Sequence, residues 1–279
     1  MALSSSGAGI RTIELSDPEF ERDGVRFVTA YSPALGGRAD ISVFVTPGIE
    51  SLSQAPVVLL LHGVYGSHWA WFFKGGAHRT AQELAAAGRI RPMLLVAPSD
   101  GLYRDGSGYL RHSRADYEAW IVRDMLDAVF GRFPYVNRNS PIFIAGLSMG
   151  GFGALRLGAK HAGVFRGISA HSAITRLEEL SAFVFEPFPV AEIGADEADI
   201  LFWCEKNRDT LPPIRFDCGV EDALIAGNRR LHDELKQMGI DHEYLEREGD
   251  HSWEYWRAGI RSTLLFFEEI LRNETGNQT

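Results

Sequence analysis

Ser148 lies within Gly146-Leu147-Ser148-Met149-Gly150-Gly151, between an apolar run at 141–145 and a helix-like run at 153–157. A G-x-S-x-G string between a strand and a helix sets a serine on a tight turn, where its hydroxyl is exposed to a base. The small flanking residues let the backbone bend sharply without a side-chain clash. A serine hydroxyl is a weak nucleophile at neutral pH, so the reading requires two partners downstream, an acid and then a histidine. Each must stand in a loop that follows a strand.

The acid is sought in Phe216-Asp217-Cys218-Gly219-Val220-Glu221-Asp222. Asp217 falls inside the expected strand, where a carboxylate is a structural group. Glu221 and Asp222 stand in the loop beyond. Asp222 is chosen because Glu221, next to the strand end, is expected to be solvated. The acid would accept the Nδ1 proton of the histidine, fix its tautomer and stabilise the imidazolium. His242 opens the final strand and is read as a surface residue. His251, in Glu248-Gly249-Asp250-His251-Ser252-Trp253, follows that strand, and Gly249 allows the chain to turn back toward the serine. An ordinary imidazole pKa near 6.5 suits a group that takes a proton and returns it.

An oxyanion needs donors as well. The backbone N–H of Met149 is one, and the loop Leu61-His62-Gly63-Val64-Tyr65-Gly66 offers Val64 as the second. Each such donor is worth about 3–4 kcal/mol to a tetrahedral intermediate. His62 is read as holding the loop's shape rather than as a reacting group. His62, Tyr65 and Trp71 are the candidates for touching substrate, although Trp69, Trp71, Phe72 and Phe73 could equally be core.

Something must carry these stations. Strands are expected over 11–15, 25–30 and 41–46, then a continuous apolar run at 56–61, read as a central strand buried on both faces. A helix over 77–87 ends at Gly88. A strand over 93–97, a glycine-rich loop over 98–108, a helix over 115–130 and a strand over 142–145 lead to the serine turn. Strands over 164–169, 214–220 and 243–247, and helices over 227–238 and 257–271, complete an alternation that reads as one α/β domain spanning 1–279. Residues 172–213 interrupt it. A connection that long is functional or a misread element, and a small helical cap insert over the site is favoured against a plain surface excursion.

The chain has 279 residues and a net charge of −9. That balance offers no concentrated basic surface for nucleic acid, and no run is long enough to span a membrane as a helix. The start lacks a basic cluster followed by an apolar stretch, so it reads as a loose tail and the expected location is the cytoplasm. Two cysteines, Cys204 and Cys218, cannot form a disulfide framework. The nine histidines show no paired helical spacing and no H-E-x-x-H; no metal and no cofactor is expected.

Taken together, these residues resemble the esterase D-like branch of the α/β-hydrolases, which includes tributyrin, feruloyl and acetylxylan esterases, S-formylglutathione hydrolases and mycolyltransferase relatives. The resemblance runs over 56–267 and rests on Leu61-His62-Gly63, Asp116-Tyr117-Glu118, Gly146 through Ala154, Cys218-Gly219 with Asp222, and Asp250-His251-Ser252-Trp253. It implies a mostly parallel sheet with helices on both faces, frequent homo-oligomers and a small-molecule ester as substrate. It also implies Ser148 as nucleophile, Asp222 as acid, His251 as base, and Val64 and Met149 as oxyanion donors. Two departures matter. S-formylglutathione hydrolases carry a histidine where Phe152 stands and a cysteine-containing loop where Val64-Tyr65-Gly66 stands. These point toward a serine esterase of carboxylic esters, and the apolar cap toward short or medium acyl or aryl esters. Acyl transfer to a sugar or other alcohol, and glutathione thioester hydrolysis, are the alternatives.

Overall fold

The computed structural model of the chain describes residues 10 and 12–276. Arg11 and the N-terminal tail read above lie outside the described residues. Nine strands form one sheet in the order β1-β2-β3-β5-β4-β6-β7-β8-β9. β1 (Ile13–Leu15), β2 (Val25–Ser32) and β3 (Gly37–Val45) form the antiparallel meander, and β3 runs antiparallel to β5 (Leu94–Pro98). From there β4 (Val57–Leu61), β6 (Ile142–Leu147), β7 (Gly167–His171), β8 (Ile214–Gly219) and β9 (Glu243–Arg247) are all parallel.

The apolar run of β4 divides between two cores by the two-residue period of a strand. Val57, Leu59 and Leu61 face one core, where α5 (Met149–Lys160), α7 (Ile200–Lys206) and α8 (Ile225–Gln237) pack. Val58 and Leu60 face the other, covered by α1 (Ala70–Phe73), α2 (Ala77–Ala86) and α9 (Trp253–Gly276). With both faces covered, the parallel strands read as unbroken hydrophobic runs.

Four elements depart from expectation, among them β3, which opens four residues early because its pairing with β2 runs on to Ser32 and Gly37. The helix over 115–130 is α3 (Tyr117–Ala119), a π-helical turn at Trp120–Asp124 and α4 (Met125–Phe130). The wider turn lets Trp120 donate its indole N–H to Ser99 O while Asp124 accepts from Ser32 Oγ at 2.6 Å and Ala34 N. β7 begins later than expected, because Val164 lies in a turn closed by its N–H to His161 O. α9 begins four residues early, at Trp253, because Tyr255 and Trp256 join Ile260, Leu264 and Phe267 on its buried stripe.

Residues 172–213 carry 3-10 turns at Leu177–Ala182, Val190–Glu192 and Arg208–Thr210, besides α6 (Ala195–Ala198) and α7. Glu197 of α6 ties this segment down. Its carboxylate pairs with Arg156 and Lys160 of α5, the helix that follows the serine turn.

Candidate active site

β6 ends at Leu147, and α5 begins at Met149, leaving Ser148 alone to reverse the chain. It does so at φ 54° and ψ −120°, a conformation that costs about 1–3 kcal/mol for a non-glycine residue. Neighbouring structure holds it there: Ser148 N–H donates to His171 O on β7, and Ser148 O accepts from Phe152 and Ile174. The flanking glycines are steric necessities. A Cβ on Gly146 would collide with the Gly150 carbonyl, and one on Gly150 with the Leu61 carbonyl.

The two downstream partners converge on that turn. His251 Nε2 lies 3.0 Å from Ser148 Oγ, and His251 Nδ1 lies 2.9 Å from Asp222 Oδ2. The loops that deliver them are laced together. Val220 N–H donates to Arg247 O and Glu221 N–H to Gly249 O, while Gly219 packs so closely on Gly249 that a Cβ would not fit. Gly249 makes its turn at φ +127°. Asp222 is buried, and burial alone would raise its pKa. The hydrogen bond and charge of His251 and the N–H of Leu224 more than offset that, holding the carboxyl below its ordinary range.

Asp217 goes elsewhere, as its place within the strand implied. It is buried in β8, where it accepts from His171 Nδ1 at 3.0 Å, Arg215 Nη1 at 2.7 Å and Arg247 Nη2 at 3.0 Å. Burial pushes its carboxyl up, but these three partners drive it far below the usual carboxylate range. Glu221 is exposed. The sequence reading missed this ion cluster, and His171 gave no signal because the strand carrying it was read as ending at 169.

His62 serves its own loop. Its Nδ1 donates to Gly63 O at 2.7 Å and its Nε2 accepts from Asp100 N–H at 3.0 Å, so both ring nitrogens are engaged within the protein. That loop presents Val64 beside Met149, with Gly106 packed against both side chains. Among the described residues, neither the Val64 nor the Met149 backbone amide has an acceptor, the state an oxyanion hole requires.

A cavity of about 680 Å³ opens above Ser148 and His251, within the usual range for small-ligand sites. Tyr65, Trp69, Phe183, Trp253 and Trp256 contribute to its walls. Phe183 comes from the 172–213 segment and tilts against His251 at 5.3 Å between ring centroids; Tyr65 Oη donates to the Phe183 carbonyl. Trp71 departs from expectation. It is fully buried, donates its indole N–H to Leu61 O at 2.9 Å and packs beneath Trp253. The turn of α1 points Trp71 into the core and leaves Trp69, just before it, at the cavity.

The order strand, strained serine, helix, then acid and histidine after the last two strands, can be compared with known proteins. A family model described as "Putative esterase" matches residues 32–267. The chain belongs to this esterase family. It is 25% identical over 229 residues to an acetyl esterase of Caldicellulosiruptor saccharolyticus, covering 76% of this chain and 82% of that one. Among solved structures, a ferulic acid esterase matches with a TM-score of 0.76 and 25% identity, over 88% of this chain and 97% of that one. An S-formylglutathione hydrolase from Agrobacterium tumefaciens matches with a TM-score of 0.72 and 20% identity, over 94% and 99%. The fold is that of the α/β-hydrolases. No described helix is long and apolar enough to cross a membrane.

Proposed function

We propose that this esterase hydrolyses carboxylic esters through an acyl-enzyme on Ser148. The observation that carries the reading is the unbroken hydrogen-bonded chain Ser148–His251–Asp222 at the floor of an aromatic cavity. Ser148 Oγ attacks the ester carbonyl while His251 Nε2 takes its proton, and Asp222 stabilises the imidazolium. The oxyanion that forms is received by the N–H groups of Val64 and Met149. His251 then returns the proton to the departing alcohol, and the acyl group stays on Ser148. In the second half His251 takes a proton from the water that attacks the acyl-enzyme, then returns it to Ser148 Oγ as the acid leaves. The His251 side chain keeps 22% of its surface exposed, so water can reach it.

The 172–213 segment acts as a small cap on the site, since its Phe183 faces His251 and its α6 is anchored to α5. The cavity volume suits short or aryl acyl groups better than long chains. Phe152, fully buried, supplies no polar group to a glutathione moiety, which favours carboxylic esters over that thioester.

The test is Ser148→Ala assayed with a fluorophosphonate probe and p-nitrophenyl acetate. Labelling and hydrolysis should both vanish in a folded protein. Labelling that persists would overturn the assignment of the nucleophile.

A further inference from the structure

Two cations stand at one end of the cavity. Lys74, at the end of α1, and Arg257, on the first turns of α9, both contribute to its lining. They are 183 positions apart in the chain, and the Arg257 side chain is anchored beside Lys74, its Nε donating to the Lys74 carbonyl at 2.8 Å. Lys74 Nζ stands 5.5 Å from the centroid of the Trp253 ring and pairs with no carboxylate among the described residues. Glu254 lines the same cavity and lies 3.7 Å from the Arg257 guanidinium, but the two side chains are 80% and 54% exposed, so it offsets that charge only in part. In a chain of net charge −9, the cavity lining carries Lys74 and Arg257 against one carboxylate, Glu254, a local balance that favours an anion.

The geometry of His251 says which part of a substrate would meet them. Its Nε2 faces Ser148 Oγ, and the same nitrogen must protonate the departing oxygen, so the alcohol moiety lies on the His251 side. The chain that continues from His251 along α9 supplies Trp253, Trp256 and Arg257 to the cavity. An aromatic face followed by two cations suits a compact apolar group that ends in an anion. We propose that this end of the cavity is a subsite for a carboxylate on the alcohol moiety of the ester. The inference rests on the esterase reading and adds the class of alcohol.

The experiment compares 4-acetoxybenzoate with its methyl ester, which keeps the ring and removes the charge, and with monophenyl succinate, which puts the carboxylate on the acyl group. Each exposed ion pair is worth roughly 1.5- to 5-fold in affinity. Two together should favour 4-acetoxybenzoate over its methyl ester by about 10-fold in kcat/KM at low salt, mainly through KM. That ratio should fall in about 0.5 M NaCl, where the charges are screened. The net negative chain alone would give the opposite salt trend.

Lys74→Met and Arg257→Gln should each cut the ratio about 3-fold and together bring it to about 1, whereas Glu254→Gln should raise it. A wild-type ratio of 1 or less at low salt overturns the proposal, as does a preference that survives in the double variant. A stronger preference for monophenyl succinate would also overturn it, by moving the anion to the acyl side. Fluorophosphonate labelling and methyl-ester hydrolysis without any charge preference defeat this inference alone. Absence of both defeats the esterase reading and the subsite with it.

Discussion

Asp217 and Asp222 lie five positions apart, both buried and both bonded to a histidine, yet the proposed mechanism uses only Asp222. Replacing Asp217 by Asn removes the one charge shared by His171, Arg215 and Arg247. Arg215 is left buried with only half-exposed Glu243 as its ionic partner. Breaking a buried ion pair from one side costs about 3–5 kcal/mol. For a chain of this size, with a urea dependence of about 3 kcal/mol per molar, the unfolding midpoint should drop by roughly 1–1.7 M. The folded fraction should keep activity within about tenfold, because Asp217 does not touch Ser148 or His251. Asp222→Asn should do the reverse. Its lost hydrogen bonds cost about 1–2 kcal/mol of stability, while the wrong histidine tautomer should lower kcat about 10⁴-fold. Urea titrations followed by tryptophan fluorescence, with kcat on p-nitrophenyl acetate, measure both quantities on both variants. A midpoint shift under about 0.3 M for Asp217→Asn refutes the argument from buried charge. An Asp222→Asn enzyme within tenfold of wild type refutes the role given to that carboxylate.

Stability should fall with acid in two windows. His78 sits among the Phe44, Phe72 and Phe73 rings; among the described residues neither ring nitrogen has a hydrogen-bond partner, and Asp23 stands 3.9 Å from Nε2. Burial, with the charge of Arg79, lowers its pKa. The unfolded chain therefore takes that proton first, near pH 6.5, and stability declines below it; His78→Phe should flatten this part of a urea-midpoint profile. Asp217 and Glu118 are depressed carboxylates, so their contribution is complete above about pH 4 and is lost as pH falls below it. Asp217→Asn should show a shallower loss there, and an unchanged slope would contradict the linkage. Gly146→Ala drives a Cβ into the Gly150 carbonyl, backbone against backbone. It should abolish soluble, fluorophosphonate-reactive protein, and wild-type yield and midpoint would show that the turn can relax.

Much of the fold was legible because burial on two faces writes itself into composition. Val57–Leu61 is apolar throughout, and no alternation could distinguish its faces, yet that very lack of alternation identified a central parallel strand. The misplacements have physical causes. At β7, Val164 has the propensity of a strand residue but lies in a turn, so the strand was placed early and His171 was lost from view. At α9, the helix expected from 257 opens at Trp253, because Tyr255 and Trp256 belong to its buried stripe and Trp253 packs against it. A propensity scale weighs each residue alone. The packing that decided these boundaries came from elements far along the chain.

The serine station was legible for a different reason. A reversal at φ 54° between a strand and a helix needs glycines at fixed offsets, so local backbone geometry leaves a local string. The acid and the histidine were legible because each follows a strand end. Substrate walls obey no such rule. Trp69 and Trp71 are neighbours of one type, yet one meets the cavity and the other holds the Leu61 carbonyl in the core. Lys74 and Arg257 acquire meaning only when α1 and α9 pack on the same face of the sheet and bring their ends to one rim. Chemistry common to a fold is encoded where the backbone is constrained, whereas specificity is assembled across elements whose meeting no local pattern records. The charge at that rim can change by substitutions on exposed helix ends without disturbing the strained turn. A change of charge at Lys74 or Arg257 would therefore alter the proposed subsite while leaving the Ser148 turn as it is.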